Sequence, residues 1–89
     1  MKFQTTRPFD RDYTELPEEI KERVDKQLAL LLLNPRHPSL QLKRIRGTSD
    51  IWEVRVSRSY RLTLQLAGDT YLLRRVGSPV DSNDVIERA

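Results

Sequence analysis

The sequence predicts an α+β domain: a short strand and two helices, then an antiparallel β-meander, with the helices packed on one face of the sheet. Three observations lead there. Apolar residues recur at helical spacing through residues 17–33, the hydrophobic period changes to two after Pro38, and glycines and polar residues divide the later half into short runs. Connections this short require antiparallel neighbours.

Taken in order, residues 2–6 are β-compatible and form an opening strand. Pro8 ends it, because proline lacks a ladder donor and restricts Arg7 to extended geometry. Residues 9–14 form a first helix with Phe9 and Tyr13 on one face. The second helix spans 17–33. Pro17 suits its first turn, and Glu18, Glu19 and Glu22 complement its dipole there. Ile20, Val24, Leu28, Leu31 and Leu32 make the inward stripe, and Pro35 and Pro38 stop the helix near Asn34. Leu30 and Leu33 widen the stripe, either packed on the first helix or exposed to a partner. Leu40 and Leu42 then alternate with Gln41 and Lys43. Residues 51–57 and 60–66 form a hairpin around a turn at 57–59, and 71–76 is the last strand after Gly68 and Asp69.

Alternation assigns the faces. With Trp52, Val54 and Val56 against the helices, Glu53 and Arg55 point outward, joined by Arg61, Thr63 and Gln65. In the last strand, Leu72/Arg74 and Leu73/Arg75 compete for the inner face, with Arg74 the favoured arginine for the open surface. Trp52 belongs to the core, and Tyr60 and Tyr71 are structural.

With 89 residues, 37% of them hydrophobic, the chain supports one core and one domain, residues 1–89. Cysteine is absent, which excludes disulfides and thiolate chemistry. One histidine and scattered carboxylates lack metal-ligand spacing, and three turn glycines make no phosphate loop. Nothing resembles a signal peptide or a membrane span, so a cytoplasmic location without a membrane or a cofactor is expected. Residues 36–75 carry nine basic side chains against three acidic, a balance of +6; the rest carries seven against ten, a balance of −3. Such a polarised chain suits a polyanion, RNA or DNA being the commonest; a solvated basic face is the alternative.

The element order, with ELPEEIKERV opening the long helix, NPRHPSLQLKRIRGT leading into the sheet and IWEVRVSRSYRLTLQLAGDTYLLRRVG within it, resembles the RelE/ParE superfamily of bacterial toxins over residues 3–77. The resemblance implies a toxin of a type II toxin–antitoxin system. In the RelE-like branch this is a metal-independent endoribonuclease that cuts messenger RNA on the ribosome; in the ParE-like branch it is a DNA gyrase inhibitor. A degenerate toxin that only binds its antitoxin is a third reading.

By that resemblance Arg61 of "SYRL" matches the position that binds the scissile phosphate. Arg55 and Glu53 of "WEVR" fall at basic and acid–base positions, and Lys43, Arg44, Arg46 and Arg74 contact RNA. Glu53 is either the general base or a partner that orders the arginines. Leu30 and Leu33 would take apolar anchors of a cognate antitoxin. Related sequences often follow the last strand with a histidine and a tyrosine. Here Pro79 stands about where the histidine would be and no tyrosine follows. His37, between prolines in the helix-to-sheet loop, is not assigned a catalytic role.

Overall fold

The computed structural model describes residues 1–48 and 50–78. Its elements are β1 (Lys2–Thr5), α1 (Arg7–Thr14), α2 (Glu18–Leu33), a 3₁₀ turn (Pro38–Leu40), β2 (Lys43–Arg44), β3 (Ile51–Arg55), β4 (Arg61–Ala67) and β5 (Thr70–Gly77). They form one five-stranded sheet in the order β1-β5-β4-β3-β2. The α+β architecture is therefore the expected one, and 51–55 and 61–67 form the expected hairpin. Among the described residues no helix is long and apolar enough to cross a membrane.

Three local differences have clear causes. Helix α1 starts at Arg7, earlier than expected, because the Thr6 side chain accepts the Phe9 N–H at 3.4 Å as an N-cap. Pro8 then sits in the first helical turn, where its missing donor is harmless. In α2 the inward residues are Ile20, Val24, Gln27 and Leu31, while Leu32 is 43% exposed. Leu31 and Leu32 lie about 100° apart around the axis, so one core-facing position excludes the other. Beyond the helix, Leu40 ends a 3₁₀ turn and Gln41 takes the left-handed conformation at φ 45°, so the strand expected from residue 40 begins only at Lys43. Leu40 is nonetheless fully buried; its apolar signal marked core rather than strand.

The sheet also extends further than the expected meander. β1 lies parallel to β5, with Lys2 opposite Thr70 and Thr5 opposite Leu73. The two helices and three strands between them supply the long crossover that parallel pairing needs. The inner face follows from register: Trp52 opposes Leu64, Val54 opposes Leu62, and Leu62 in turn opposes Val76. These residues join Phe9, Leu16, Ile20, Val24, Leu31 and Leu40 in the core, and Trp52 packs on its margin, half-buried.

Two side chains fasten α1 to β5 just past the end of β1. The Thr6 hydroxyl donates toward the Leu73 and Arg74 carbonyls, at 2.9 and 3.2 Å. Asp12 accepts from Arg75 Nε at 2.6 Å, Arg75 Nη2 at 3.1 Å and the Val76 N–H at 3.1 Å. The hydrogen bonds to Asp12 hold Arg75 above the ordinary arginine value, against an opposing effect of burial. On the other side of the helical layer, Gln27 Nε2 donates to the Ser39 and Arg55 carbonyls, tying α2 to the 3₁₀ turn and to the end of β3.

Asp12→Ala leaves a half-buried guanidinium and a backbone N–H without their acceptor. A loss of about 2–3 kcal/mol is expected, lowering Tm by roughly 10–20 °C in a domain of this size. Asp12→Asn, which still accepts from Val76, should lose less. Calorimetric melts of the two variants check both the size and the order of the effects.

Candidate functional site

The outer face of the sheet is built in rows across the strands. Lys43 opposes Glu53, Glu53 opposes Thr63 and Thr63 opposes Arg75. In the next row Arg55 opposes Arg61. On the other side Ile51, Gln65 and Leu72 align. The alternation read from the sequence thus brings Glu53, Arg55, Arg61, Thr63 and Gln65 onto one surface.

Arg61 is held rather than free. Its Nη1 donates to the Ser57 carbonyl at 2.7 Å and the Tyr60 carbonyl at 3.1 Å, and its Nε lies 3.5 Å from Glu53 Oε1. The turn at 57–60 forms because the Val56 and Ser57 N–H groups both reach the Tyr60 carbonyl; the guanidinium then closes it from the side. A guanidinium has five N–H donors in a rigid fork. With Nη1 and Nε engaged, Nη2 makes no hydrogen bond among the described residues. Glu53 pairs with two cations: Lys43 Nζ is 4.0 Å and Arg61 Nε 3.5 Å from Oε1. Its side chain is only 16% exposed, whereas that of Lys43 is 71% exposed. A donor edge and a carboxylate oxygen are therefore presented side by side from a rigid hairpin.

The two candidate arginines of β5 are separated by a register shift. Leu64 opposes Leu73 while Thr63 opposes Arg75, so Arg74 is the extra residue of a bulge. Arg75 goes to Asp12, as described. Arg74 Nη1 donates to Gln65 Oε1 at 3.2 Å, and Gln65 Nε2 donates to Asp50 Oδ2 at 2.7 Å. Arg74 is thus the one tied to the open face. Gln65 and Asp50 as its orienting pair were missed in the sequence; Gln65 had the right parity but no reason to be singled out. Thr63, at the centre of this face, is 2% exposed and its hydroxyl has no hydrogen-bond partner.

The other basic candidates divide. Lys43 is level with Glu53, but Arg44 is opposite Trp52 and so belongs to the other side of the sheet. Arg46 is exposed beyond the end of β2. His37 caps the 3₁₀ turn, its Nδ1 accepting the Ser39 N–H at 3.2 Å, and is not part of the Glu53–Arg61 group. Leu30 packs half-buried against the core, whereas Leu33 is 84% exposed beside the exposed Leu32. Pro79 lies outside the described residues. Chemically, the face can hold an oxyanion on the Arg61 Nη2 donors while the adjacent carboxylate receives a proton.

No protein-family model and no curated protein matches the chain. Solved structures do. The RelB–RelE antitoxin–toxin complex from Methanococcus jannaschii superposes with a TM-score of 0.71 at 23% identity, over 90% of this chain and 94% of that one. The Escherichia coli toxin RelE in its free state gives 0.75 at 21% identity, over 98% and 90%. The E. coli DinJ–YafQ toxin–antitoxin complex gives 0.75 at 12% identity, over 89% and 92%. This chain has the RelE-like α+β fold.

Proposed function

We propose that the chain is the toxin of a type II toxin–antitoxin system and a metal-independent endoribonuclease that cuts messenger RNA on the ribosome. The observation that carries this reading is the Glu53–Arg61 pair on the open sheet face, in which neither Arg61 Nη2 nor Glu53 Oε2 makes a hydrogen bond among the described residues. The fold shared with RelE and YafQ, described as toxins and seen bound to antitoxins, supports it.

In the reaction, the ribose 2′-hydroxyl loses its proton to Glu53 and its oxygen attacks the adjacent phosphorus. The bond to the 5′-oxygen breaks, giving a 2′,3′-cyclic phosphate and a 5′-hydroxyl. The leaving 5′-oxygen takes a proton from solvent water, and Glu53 returns its own proton to solvent, which completes the cycle. Arg61 takes the developing negative charge of the phosphorane on its Nη2 donors. Because its other donors are already fixed by the turn, little reorganisation accompanies charge development. Arg55 and Arg74 hold neighbouring phosphates, and Lys43 and Arg46 guide the polyanion towards them.

A second reading, inhibition of DNA gyrase, is favoured by one sequence feature: the segment after the last strand has Pro79 and neither histidine nor tyrosine. Induced expression in a bacterium separates the two. Cut transcripts with rapid loss of protein synthesis support the first, filamentation with a DNA-damage response the second, and no phenotype leaves a toxin-like protein that only binds its antitoxin. That antitoxin is a segment, disordered when free, whose apolar anchors meet Leu33 and the edge of Leu30 and whose acidic side chains meet the sheet arginines.

Arg61→Ala should lower RNA cleavage by about 10²–10³-fold and relieve growth arrest. Arg61→Lys, which keeps the charge but not the fork, should recover only part. Full toxicity in an Arg61→Ala protein with a native melt would refute the assignment. Glu53→Gln removes the proton acceptor at nearly constant shape, and cleavage should fall by about 10²–10⁴-fold with RNA affinity maintained; a single-turnover assay with a parallel binding measurement checks this. Leu33→Ser should leave the melt unaltered and weaken antitoxin binding by about 10-fold, the loss of roughly 1.4 kcal/mol of apolar contact, measurable by calorimetric titration.

A further inference from the structure

A groove of about 500 Å³ runs between α2 and the β3–β4 hairpin. Arg23 and Lys26 line it from the helix, Arg55 and Arg58 from the hairpin, and His37 from the loop before β2. No carboxylate is among the lining residues. None of the four cationic side chains has an ion pair or hydrogen bond of its own among the described residues; the Arg55 contact from Gln27 is to its carbonyl. Of the acids near the helical cations, Asp25 accepts the Tyr13 hydroxyl at 2.8 Å, and Glu19 and Glu22 are exposed, line no part of the groove and form no ion pair with Arg23 or Lys26. Four unpaired cations around one concavity repel each other, and low-dielectric walls focus their field outward.

We infer that this groove is a second phosphate-binding site, which holds the backbone of a single-stranded RNA beyond the phosphate at Arg61. The inference rests on the ribonuclease reading and adds a course for the strand. Arg55 is the junction: it opposes Arg61 across the hairpin and also lines the groove. A polyanion leaving Arg61 therefore meets an uninterrupted series of cations over the edge of the hairpin. The donor set suits phosphate. The Ser39 N–H occupies His37 Nδ1, so the neutral ring carries its proton on Nε2 and is a further N–H donor. The lining suits a peptide less well, since an amphipathic segment needs apolar pockets. The groove offers only half-buried Leu30, while Val56 is already buried in the core.

The test is binding of a ten-nucleotide RNA, 2′-O-methylated throughout so that it cannot be cut, by fluorescence anisotropy over a range of salt. The protein is the full chain and its Arg23→Gln/Lys26→Gln/Arg58→Gln variant. All three positions are exposed and unpaired, so the variant should melt as the parent does. Each lost phosphate contact reduces the slope of log K against log salt by about 0.7. Three lost contacts should flatten it by about 2 and weaken binding by about 10²-fold near 0.1 M salt. Arg61→Ala alone should change the slope by less than 1. Equal affinity and equal slope for the parent and the triple variant would overturn the groove site while leaving the ribonuclease reading intact, provided the parent cuts RNA. A parent that neither binds nor cuts RNA overturns both. A triple variant that keeps its RNA affinity but no longer binds an acidic antitoxin peptide would reassign the groove to the peptide and likewise overturn the inference.

Discussion

Three hydrogen bonds converge on Asp12, and the arrangement of both faces of the sheet depends on them. One carboxylate receives the Arg75 guanidinium and the Val76 N–H, so it secures α1 to β5 and also closes a backbone donor that the end of β1 leaves open. A half-buried charge pair of this kind contributes modest net stability, but removal of one partner leaves the other uncompensated. Its larger effect is selective. It ties Arg75, opposite Thr63, to α1, while Arg74, the extra residue of the bulge, is received by Gln65, itself bonded to Asp50. Neighbouring arginines of the same strand thus acquire different work from a contact made 63 residues earlier in the chain.

The outer face shows a second division of labour, within one side chain. Glu53 holds Lys43 and Arg61 on Oε1, so it orders the cations and moderates their mutual repulsion. Oε2 makes no hydrogen bond among the described residues, so the carboxylate that orders the cations keeps acceptor capacity. Arg61 is divided likewise, with Nη1 and Nε closing the hairpin turn and Nη2 left over. Each group is fixed by one end and available at the other. That is the geometry expected of preorganised electrostatics, in which donors are oriented before charge develops.

Much of this was legible in the sequence because it depended on short-range periodicity. Alternation placed Glu53, Arg55, Arg61 and Gln65 together, since strand parity needs only the identity of nearby residues. Helical spacing located α2 for the same reason. What escaped depended on distance or on a polar residue in an apolar place. Gln27 occupies a core position that periodicity assigns to an aliphatic residue, and its value lies in two carbonyls 12 and 28 residues away. The parallel pairing of β1 with β5 and the Asp12–Arg75 contact join opposite ends of the described chain. Arg44 shows the smallest error with the largest consequence: one residue from Lys43 in sequence, it is on the opposite side of the sheet.

The placement of acidic groups explains how a lean core supports so basic a surface. On the helical layer, Asp12 holds Arg75, Asp25 holds the Tyr13 hydroxyl and Glu18 pairs with Lys21. These carboxylates are engaged in holding helices to the sheet and to each other, and the hydrogen bond to Asp25 raises the Tyr13 phenol above its usual value. On the outer face, Glu53 and Asp50 are positioned among the cations, each with an assigned contact. Asp25, next to Lys26 in sequence, is thus held by Tyr13, while Arg23, Lys26, Arg55 and Arg58 make no ion pair among the described residues. A buried hydroxyl left without an acceptor at Thr63, in the middle of the same face, belongs to the same pattern. Stability is concentrated in the helical layer and the inner face, and unmet polar capacity is concentrated where a polyanion would lie.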